Sequence, residues 1–267
     1  MKIFLTGSSG YVGKNLLTRL RDENVYLYKR GEDIAQAVQS FQPEIIYHLA
    51  GETRDESKMM EGNFYLTQAL VDACRPIGYK AFIYLGSSSE YGIKNWSMKE
   101  TSECKPTTIY GRTKLLATNY CQLEAKASNK NIIILRPFST YGDNQPDYKF
   151  IPSVINACLK DQELNLFTGN HDWTHIDDLV SAILYFSDKT LPGEIINTAT
   201  GVMTSNGAVV ELIQKICNRE IKIKKNNSVK SGDSSVWVAD TSKALLHGWK
   251  HKIGLREGLE RTIKEYE

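Results

Sequence analysis

Apolar residues along this chain follow two alternating rhythms. Lys2-Ile3-Phe4-Leu5 is a short run of strand type, and Val12, Leu16, Leu17 and Leu20 behind it are spaced along one face of a helix. Val25 to Tyr28 predicts a second strand, Asp33 to Phe41 a short helix stopped near Pro43, and Ile45-Ile46-Tyr47-His48-Leu49-Ala50 a buried strand ending at Gly51. Asn63 to Arg75 places Leu66, Ala69, Leu70 and Ala73 on one helical face. Ala81 to Leu85 is again strand, Thr108 to Lys126 a long helix, and Ile132 to Leu135 a strand ended by Pro137. Strands and helices therefore alternate from residue 1 to about 138, the α/β pattern of a doubly wound parallel sheet. In such sheets ligands bind beyond the C-terminal ends of the strands, so segments 6–13, 29–33, 49–53, 86–92 and 137–142 are where chemistry is expected. After residue 142 the texture changes. Pro146 and Pro152 punctuate a loop; Ile151–Leu159, Asp177–Phe186 and Gly207–Asn218 read as helices; Leu164–Phe167 reads as a strand, and Gly193–Asn197 as one returning to the sheet. A short strand near Val236 to Ala239 and a terminal helix from Leu255 complete the chain.

The first turn reads Thr6-Gly7-Ser8-Ser9-Gly10-Tyr11-Val12-Gly13. Gly7 lets the chain turn sharply, Gly10 has no side chain to hold a pyrophosphate off the backbone, and Gly13 lets the helix pack close to the strand. N–H groups at the helix start then face the anion. The plainer reading is a strand, turn and helix with incidental glycines. The position, straight after the first strand, favours a Rossmann-type dinucleotide site. We therefore expect a dinucleotide-binding domain over 1–142, with sheet and helix returns near 172–200, and a small substrate-binding lobe over 143–267.

Composition excludes several alternatives. The chain has 267 residues, enough for a substantial core. With 33 basic and 31 acidic side chains it is nearly neutral, and Lys222, Lys224 and Lys225 read as a solvated edge, so neither nucleic acid nor a membrane is an expected partner. No apolar run approaches the roughly 18 residues a spanning helix needs. Residues 1–5 pass straight into the glycine turn, which is not the pattern of a signal peptide. Five cysteines (74, 104, 121, 158 and 217) form no CxxC pair and show no metal-ligand spacing, which suggests reduced thiols in a cytoplasm and no metal.

Tyr110 and Lys114 share one face of the long helix. A phenol with its ordinary pKa of about 10 is a poor acid–base group at neutral pH, and a nearby ammonium favours the phenolate. Ser87, at the end of the strand Ala81–Leu85, can hydrogen-bond a carbonyl oxygen beside Tyr110. The set amounts to a proton donor, its tuner and an oxyanion partner next to a dinucleotide loop. Taken alone, Tyr110 and Lys114 read as a surface pair and Ser87-Ser88-Ser89 as a polar loop.

These landmarks, with His48-Leu49-Ala50-Gly51, Asn63, Gly86-Ser-Ser-Ser-Glu-Tyr-Gly92, Tyr110-Gly-Arg-Thr-Lys114, Arg136-Pro-Phe-Ser-Thr-Tyr-Gly142 and Asp172-Trp-Thr-His-Ile-Asp-Asp178, make the sequence resemble the extended short-chain dehydrogenase/reductase superfamily in its nucleotide-sugar epimerase, dehydratase and reductase branch. Asn197, Ser231-Gly-Asp233, Asp240-Thr-Ser-Lys243, Gly248-Trp249 and Glu257-Gly-Leu259 extend the resemblance to nearly the whole chain. It implies Ser87, Tyr110 and Lys114 as catalytic triad. Around the dinucleotide it implies Gly7, Ser9, Gly10, Tyr11, Val12, Gly13, Leu49, Ala50 and Gly51, with Tyr110 and Lys114, and Pro137 beside the nicotinamide. It also implies a homodimer through the helices around 63–75 and 108–126.

The resemblance narrows the reaction. Family dehydratases carry an Asp-Glu pair directly after the hydroxyl residue; Ser88 and Ser89 stand there instead, which argues against 4,6-dehydration. The loop form is most similar to 4-keto reductases of deoxysugar nucleotides. We expect NADPH as cofactor, because Lys29 and Arg30 end the second strand and Arg30 can pair a 2′-phosphate through two parallel hydrogen bonds. The NAD alternative has Glu32 or Asp33 taking the ribose. Relatives place arginines on the substrate diphosphate where this chain has His171 and Lys230. The expected activity is reduction of a nucleoside-diphosphate-linked 4-keto-6-deoxysugar, with Ser88, Ser89, His171 and Lys230 as substrate contacts. The alternatives are an NAD-dependent nucleotide-sugar 4-epimerase and a non-catalytic dinucleotide-binding regulator.

Overall fold

The computed structural model describes residues 1–229 and 236–267. The chain divides into two compact units, the first of Met1–Gly92, Glu100–Pro137 and Val180–Asn197, the second of Ile93–Lys99, Phe138–Leu179 and Thr198–Glu267.

In the first unit β1 (Lys2–Thr6), α1 (Tyr11–Leu17), β2 (Asn24–Leu27), α2 (Ile34–Phe41), β3 (Ile45–His48), α3 (Leu66–Cys74), β4 (Ala81–Leu85), α4 (Ile109–Ser128) and β5 (Ile132–Pro137) follow one another. All four residues of β3 are buried, as are four of five in β1 and β4. That is the burial of strands covered on both faces. Side-chain caps start the helices where the sequence supplies them. Asp33 accepts from Gln36 N–H at α2, and Thr108 from Gly111 N–H at α4. Both helices end on left-handed residues, Gln42 and Asn129. The helix expected over 63–75 begins as a π-turn, Met60–Tyr65, before becoming α3.

The second unit carries β6 (Ser139–Tyr141), α5 (Phe150–Leu159), β7 (Leu164–Thr168) and β8 (Asn170–His175). Next come α6 (Ile176–Ser187) and β9 (Ile195–Thr198), both mainly in the first unit, then β10 (Met203–Ser205), α7 (Asn206–Cys217), β11 (Ile223–Val229), α8 (Ser242–Leu246) and α9 (Leu255–Lys264).

The main sheet has the order β2-β1-β3-β4-β5-β9, and its pairs from β2 through β5 are parallel. The direction of winding reverses between β1 and β3. Such a switch point opens a crevice at the strands' C-terminal ends, and the glycine turn and Leu49–Gly51 flank it. Phe4, Ile46, Phe82, Tyr84, Ile132 and Ile134 pack on one face of the sheet against Leu70 and Val71 of α3 and Ala117 and Cys121 of α4.

The second unit has its own core, with Tyr141, Ile151, Val154, Trp173, Val209, Ile213, Leu259 and Ile263. Its strands form the small sheets β10-β8-β6 and β11-β7. The sequence does not predict β6, β8, β10 or β11, and Lys224 and Lys225, read as a solvated edge, lie in β11. Near Val236 to Ala239, where a strand is expected, there are only isolated bridges at Trp237 and Ala239.

Asp172 of β8 is wholly buried and accepts four hydrogen bonds, from Thr200 N–H (2.9 Å), Thr200 Oγ1 (2.5 Å), Gly201 N–H (2.8 Å) and Ala239 N–H (3.3 Å). Burial raises its pKa and these donors oppose the rise. An amide offers one acceptor oxygen and turns its NH2 toward backbone donors. Asp172→Asn should therefore cost about 2–3 kcal/mol, read as a lower urea midpoint with an unchanged slope.

Candidate active site

The glycine turn forms a cradle in which two of its three glycines are sterically compelled. Gly7 sits at φ +76°, and a Cβ there would lie 2.6 Å from Ala50 N. A Cβ on Gly13 would lie 2.1 Å from Gly7 O. Gly10 differs: it is exposed, and a Cβ would meet only Gly7 O, at 3.2 Å. No side chain caps the start of α1. Ser9 is exposed, and Tyr11 and Val12 are half-buried along the same rim. These residues fit a dinucleotide, because the bare backbone at Gly10 is open to an anion while its neighbours are locked from beneath.

What locks them is a chain of hydrogen bonds. Ala50 N–H donates to Thr6 Oγ1 (3.3 Å), which lies 2.6 Å from His48 Nδ1. His48 Nε2 lies 2.8 Å from Thr67 Oγ1, which donates to Asn63 O (2.7 Å). Since Thr67 gives its proton to Asn63, His48 must donate from Nε2 and accept from Thr6 at Nδ1. Asn63 then accepts from Glu52 N–H (2.8 Å) and donates to Glu52 O (3.0 Å) and Thr113 Oγ1 (3.0 Å). The sequence singles out His48 and Asn63 as landmarks without a role. Thr6 opens the glycine turn but is given no role there, and Thr67 carries no signal beyond its type.

At the end of β2, Lys29 and Arg30 are exposed. The nearby acids are engaged locally. Glu32 accepts from Lys29 N–H (3.2 Å) and Tyr26 OH (3.3 Å), and Asp33 caps α2. Glu52 Oε1 accepts from the backbone N–H groups of Thr53, Arg54 and Asp55, which, with Arg30 nearby, hold its pKa down. The Arg30 guanidinium passes over the π-turn, with Nη2 3.8 Å from where a Gly62 Cβ would be.

Ser87 is the side chain that acts on the Tyr110 hydroxyl to lower its pKa. Ser87 caps a 3₁₀ turn, Ser88–Glu90, by accepting from Ser89 N–H at 3.1 Å. Lys114 Nζ instead donates to Leu85 O (2.5 Å), stands 4.4 Å from the centre of the Tyr84 ring, and lies 3.9 Å from where a Gly51 Cβ would be. Burial pushes the Lys114 pKa from 10.5 down to about 8, against the pull of Glu90. Burial raises the Tyr110 pKa, the Ser87 hydrogen bond lowers it and Glu90 adds to the rise. The Lys114 ammonium is held by the Leu85 carbonyl, and Ser87 opposes the rise in the Tyr110 pKa.

Ser88 is buried and Ser89 half-buried in the 3₁₀ turn, and Pro137 is half-buried at the end of β5. His171, in β8 of the second unit, is buried with Nδ1 3.1 Å from Ser139 Oγ and its ring 5.1 Å from that of Trp173. Lys230, with Ser231, Gly232 and Asp233, lies outside the described residues. Among the described residues no group of three or more His, Cys, Asp or Glu side chains is placed to hold a metal ion, and no helix is long and apolar enough to cross a membrane.

Residues 3–199 match the NAD dependent epimerase/dehydratase family, and the chain belongs to that enzyme family. It is 28% identical to an uncharacterized UDP-glucose epimerase of Bacillus subtilis, over 98% of this chain and 97% of the relative. It is 24% identical to GDP-6-deoxy-D-mannose reductase of Pseudomonas aeruginosa, over 100% and 97%. Its fold superposes on UDP-glucuronic acid 4-epimerase of Bacillus cereus, a structure with UDP-glucuronic acid and NAD, at a TM-score of 0.91 and 26% identity, covering 100% of both chains.

Burial lowers the His48 pKa from 6.5 to about 3, with Lys114 adding to the effect. The unfolded chain takes up a proton below about pH 6.5 and the folded chain does not, so stability is lost as pH falls through that window, by up to about 1.4 kcal/mol per unit. His48→Asn should flatten that part of the stability–pH curve, measured by urea denaturation between pH 7 and 4.

Proposed function

We propose that this protein is a nucleotide-sugar 4-epimerase, a reading carried by the Ser87–Tyr110 contact, with Lys114 on the same helix, in a chain that matches a UDP-glucuronic acid 4-epimerase end to end. This was the alternative to the 4-ketoreductase expected from the sequence, and the likenesses support it more than the ketoreductase. Tyr110 takes the proton from the sugar C4 hydroxyl, and Ser87, which opposes the rise in the Tyr110 pKa, hydrogen-bonds the same oxygen as it becomes a carbonyl. A bound nicotinamide dinucleotide supplies the hydride acceptor and donor for C4. Tyr110 would return the proton to the C4 oxygen of the inverted centre. Gly7, Gly10, Gly13 and Leu49–Gly51 would hold the dinucleotide, with Lys114 on its ribose and Pro137 beside the nicotinamide. Lys114 keeps its positive charge below about pH 8. No carboxylate stands at 88 or 89 to protonate a leaving hydroxyl, which speaks against dehydration.

Net 4-ketoreduction with NADPH is the second reading. It is favoured by Arg30, which is exposed, while Glu32, Asp33 and Glu52 are each bound to nearby backbone. A 2′-phosphate suits that guanidinium better than a free 2′-hydroxyl does.

Incubation with NAD and UDP-glucose or UDP-glucuronic acid, with the products separated by chromatography, should yield the C4 epimer without net cofactor reduction. Stoichiometric NADPH oxidation by a nucleotide-linked 4-keto sugar, with no epimer formed, would instead establish the second reading. Tyr110→Phe should lower kcat by about 10²–10⁴ while dinucleotide binding, followed by fluorescence, is retained. Arg30→Ala should weaken NADPH about tenfold or more and leave NADH unchanged; equal effects on the two would remove the 2′-phosphate assignment.

A further inference from the structure

Glu90 and Arg136 form a fully buried ion pair directly behind Ser87. The carboxylate uses both oxygens. Oε1 accepts from Ser87 N–H at 2.8 Å, and Oε2 accepts from Arg136 Nε at 2.8 Å and Nη2 at 2.7 Å. Its Oε1 lies so close over Gly86 that a Cβ there would sit 2.7 Å away. The guanidinium stacks 4.6 Å from the centre of the Tyr91 ring, whose hydroxyl donates to Asn197 Oδ1 at 2.7 Å. A buried ion pair is a poor stabiliser compared with apolar side chains of the same volume, so its presence behind this loop calls for another role.

We propose that Glu90, held by Arg136, is a positioning residue that fixes Ser87 so that its hydroxyl donates to Tyr110. The inference rests on the assignment of Ser87 and Tyr110 made above. Ser87 is held in extended backbone, φ −159° and ψ 144°, with its N–H on Glu90 and its Oγ accepting from Ser89 N–H. One lone pair is thereby occupied, which leaves the hydroxyl proton available to the phenol. An amide at position 90 has a single acceptor oxygen. It can serve Ser87 N–H or Arg136, and the buried cation claims it. Glu90 also acts through its charge, raising the pKa of Tyr110, Lys114, Tyr84 and Cys121, so position and charge must be separated.

A double-mutant cycle separates them. The tyrosines are labelled with ¹³C at Cζ, and the Tyr110 resonance is identified by its loss in Tyr110→Phe. Its shift at neutral pH reports the hydrogen bond from Ser87 without any turnover. Glu90→Gln should move that resonance toward its position in Ser87→Ala, and should move it by a clearly smaller amount when Ser87 is already alanine. Equal displacements in the two backgrounds, or none in the Ser87 background, would overturn the proposal. If Glu90→Gln does not fold, Glu90→Leu with Arg136→Met removes the acceptor without stranding a charge, and the same comparison applies. On the nucleotide sugar, Glu90→Gln should lower kcat about ten- to hundredfold at an unchanged KM. Absence of turnover by the unaltered protein on every nucleotide sugar would count against the function, while the resonance shifts still decide this inference.

Discussion

The approach of two backbone turns at the switch point governs the first unit. Gly7 presses on the backbone of Ala50 so closely that no side chain fits between them. β1 and β3 must therefore run in register with their turns stacked, and the Thr6–His48–Thr67–Asn63 chain fixes that stacking with donors and acceptors all running one way. Because His48 stays neutral, the chain keeps its polarity across the range in which histidine ordinarily switches. The glycine turn is thus set by its neighbours together with its own glycines.

The second layer of order lies one strand over. The loop after β4 is tied to β5 by an acid–base pair with no access to water, and the Ser87 hydroxyl proposed to act on substrate sits on the loop rather than on the pair. Apolar residues supply the area buried in the sheet, whereas buried polar groups fix where the few chemically active atoms point. Asp172 does the equivalent in the second unit, where one carboxylate gathers N–H groups from positions 200, 201 and 239.

The parts of this architecture that were legible in the sequence share one property: their burial is symmetrical. β1, β3 and β4 are covered on both faces, so they appear as unbroken apolar runs between turn residues. β8 was not legible, because Asn170-His171-Asp172-Trp173-Thr174-His175 is a polar string whose burial depends on partners far away in sequence. β11, Ile223-Lys-Lys-Asn-Asn-Ser-Val229, hides behind its lysines in the same way. At the site, the spacing of Tyr110 and Lys114 and the place of Ser87 after a strand could be read directly. That Lys114 would be held by the Leu85 carbonyl could not, since a backbone oxygen leaves no trace in the residue types.

The strand order also bears on how the chain is made. β5, once formed, has one side open until β9 arrives from Ile195–Thr198, and the intervening residues belong mostly to the other unit. During synthesis the apolar strand Ile132–Pro137 therefore waits as a bare edge while some sixty more residues emerge, at roughly 5–20 residues per second. An unpaired edge of that kind is a template for association with other chains. The segment that closes the sheet is thus also the one that ends its exposure, and slowing translation between the two strands would lengthen the interval in which nascent chains can pair with each other.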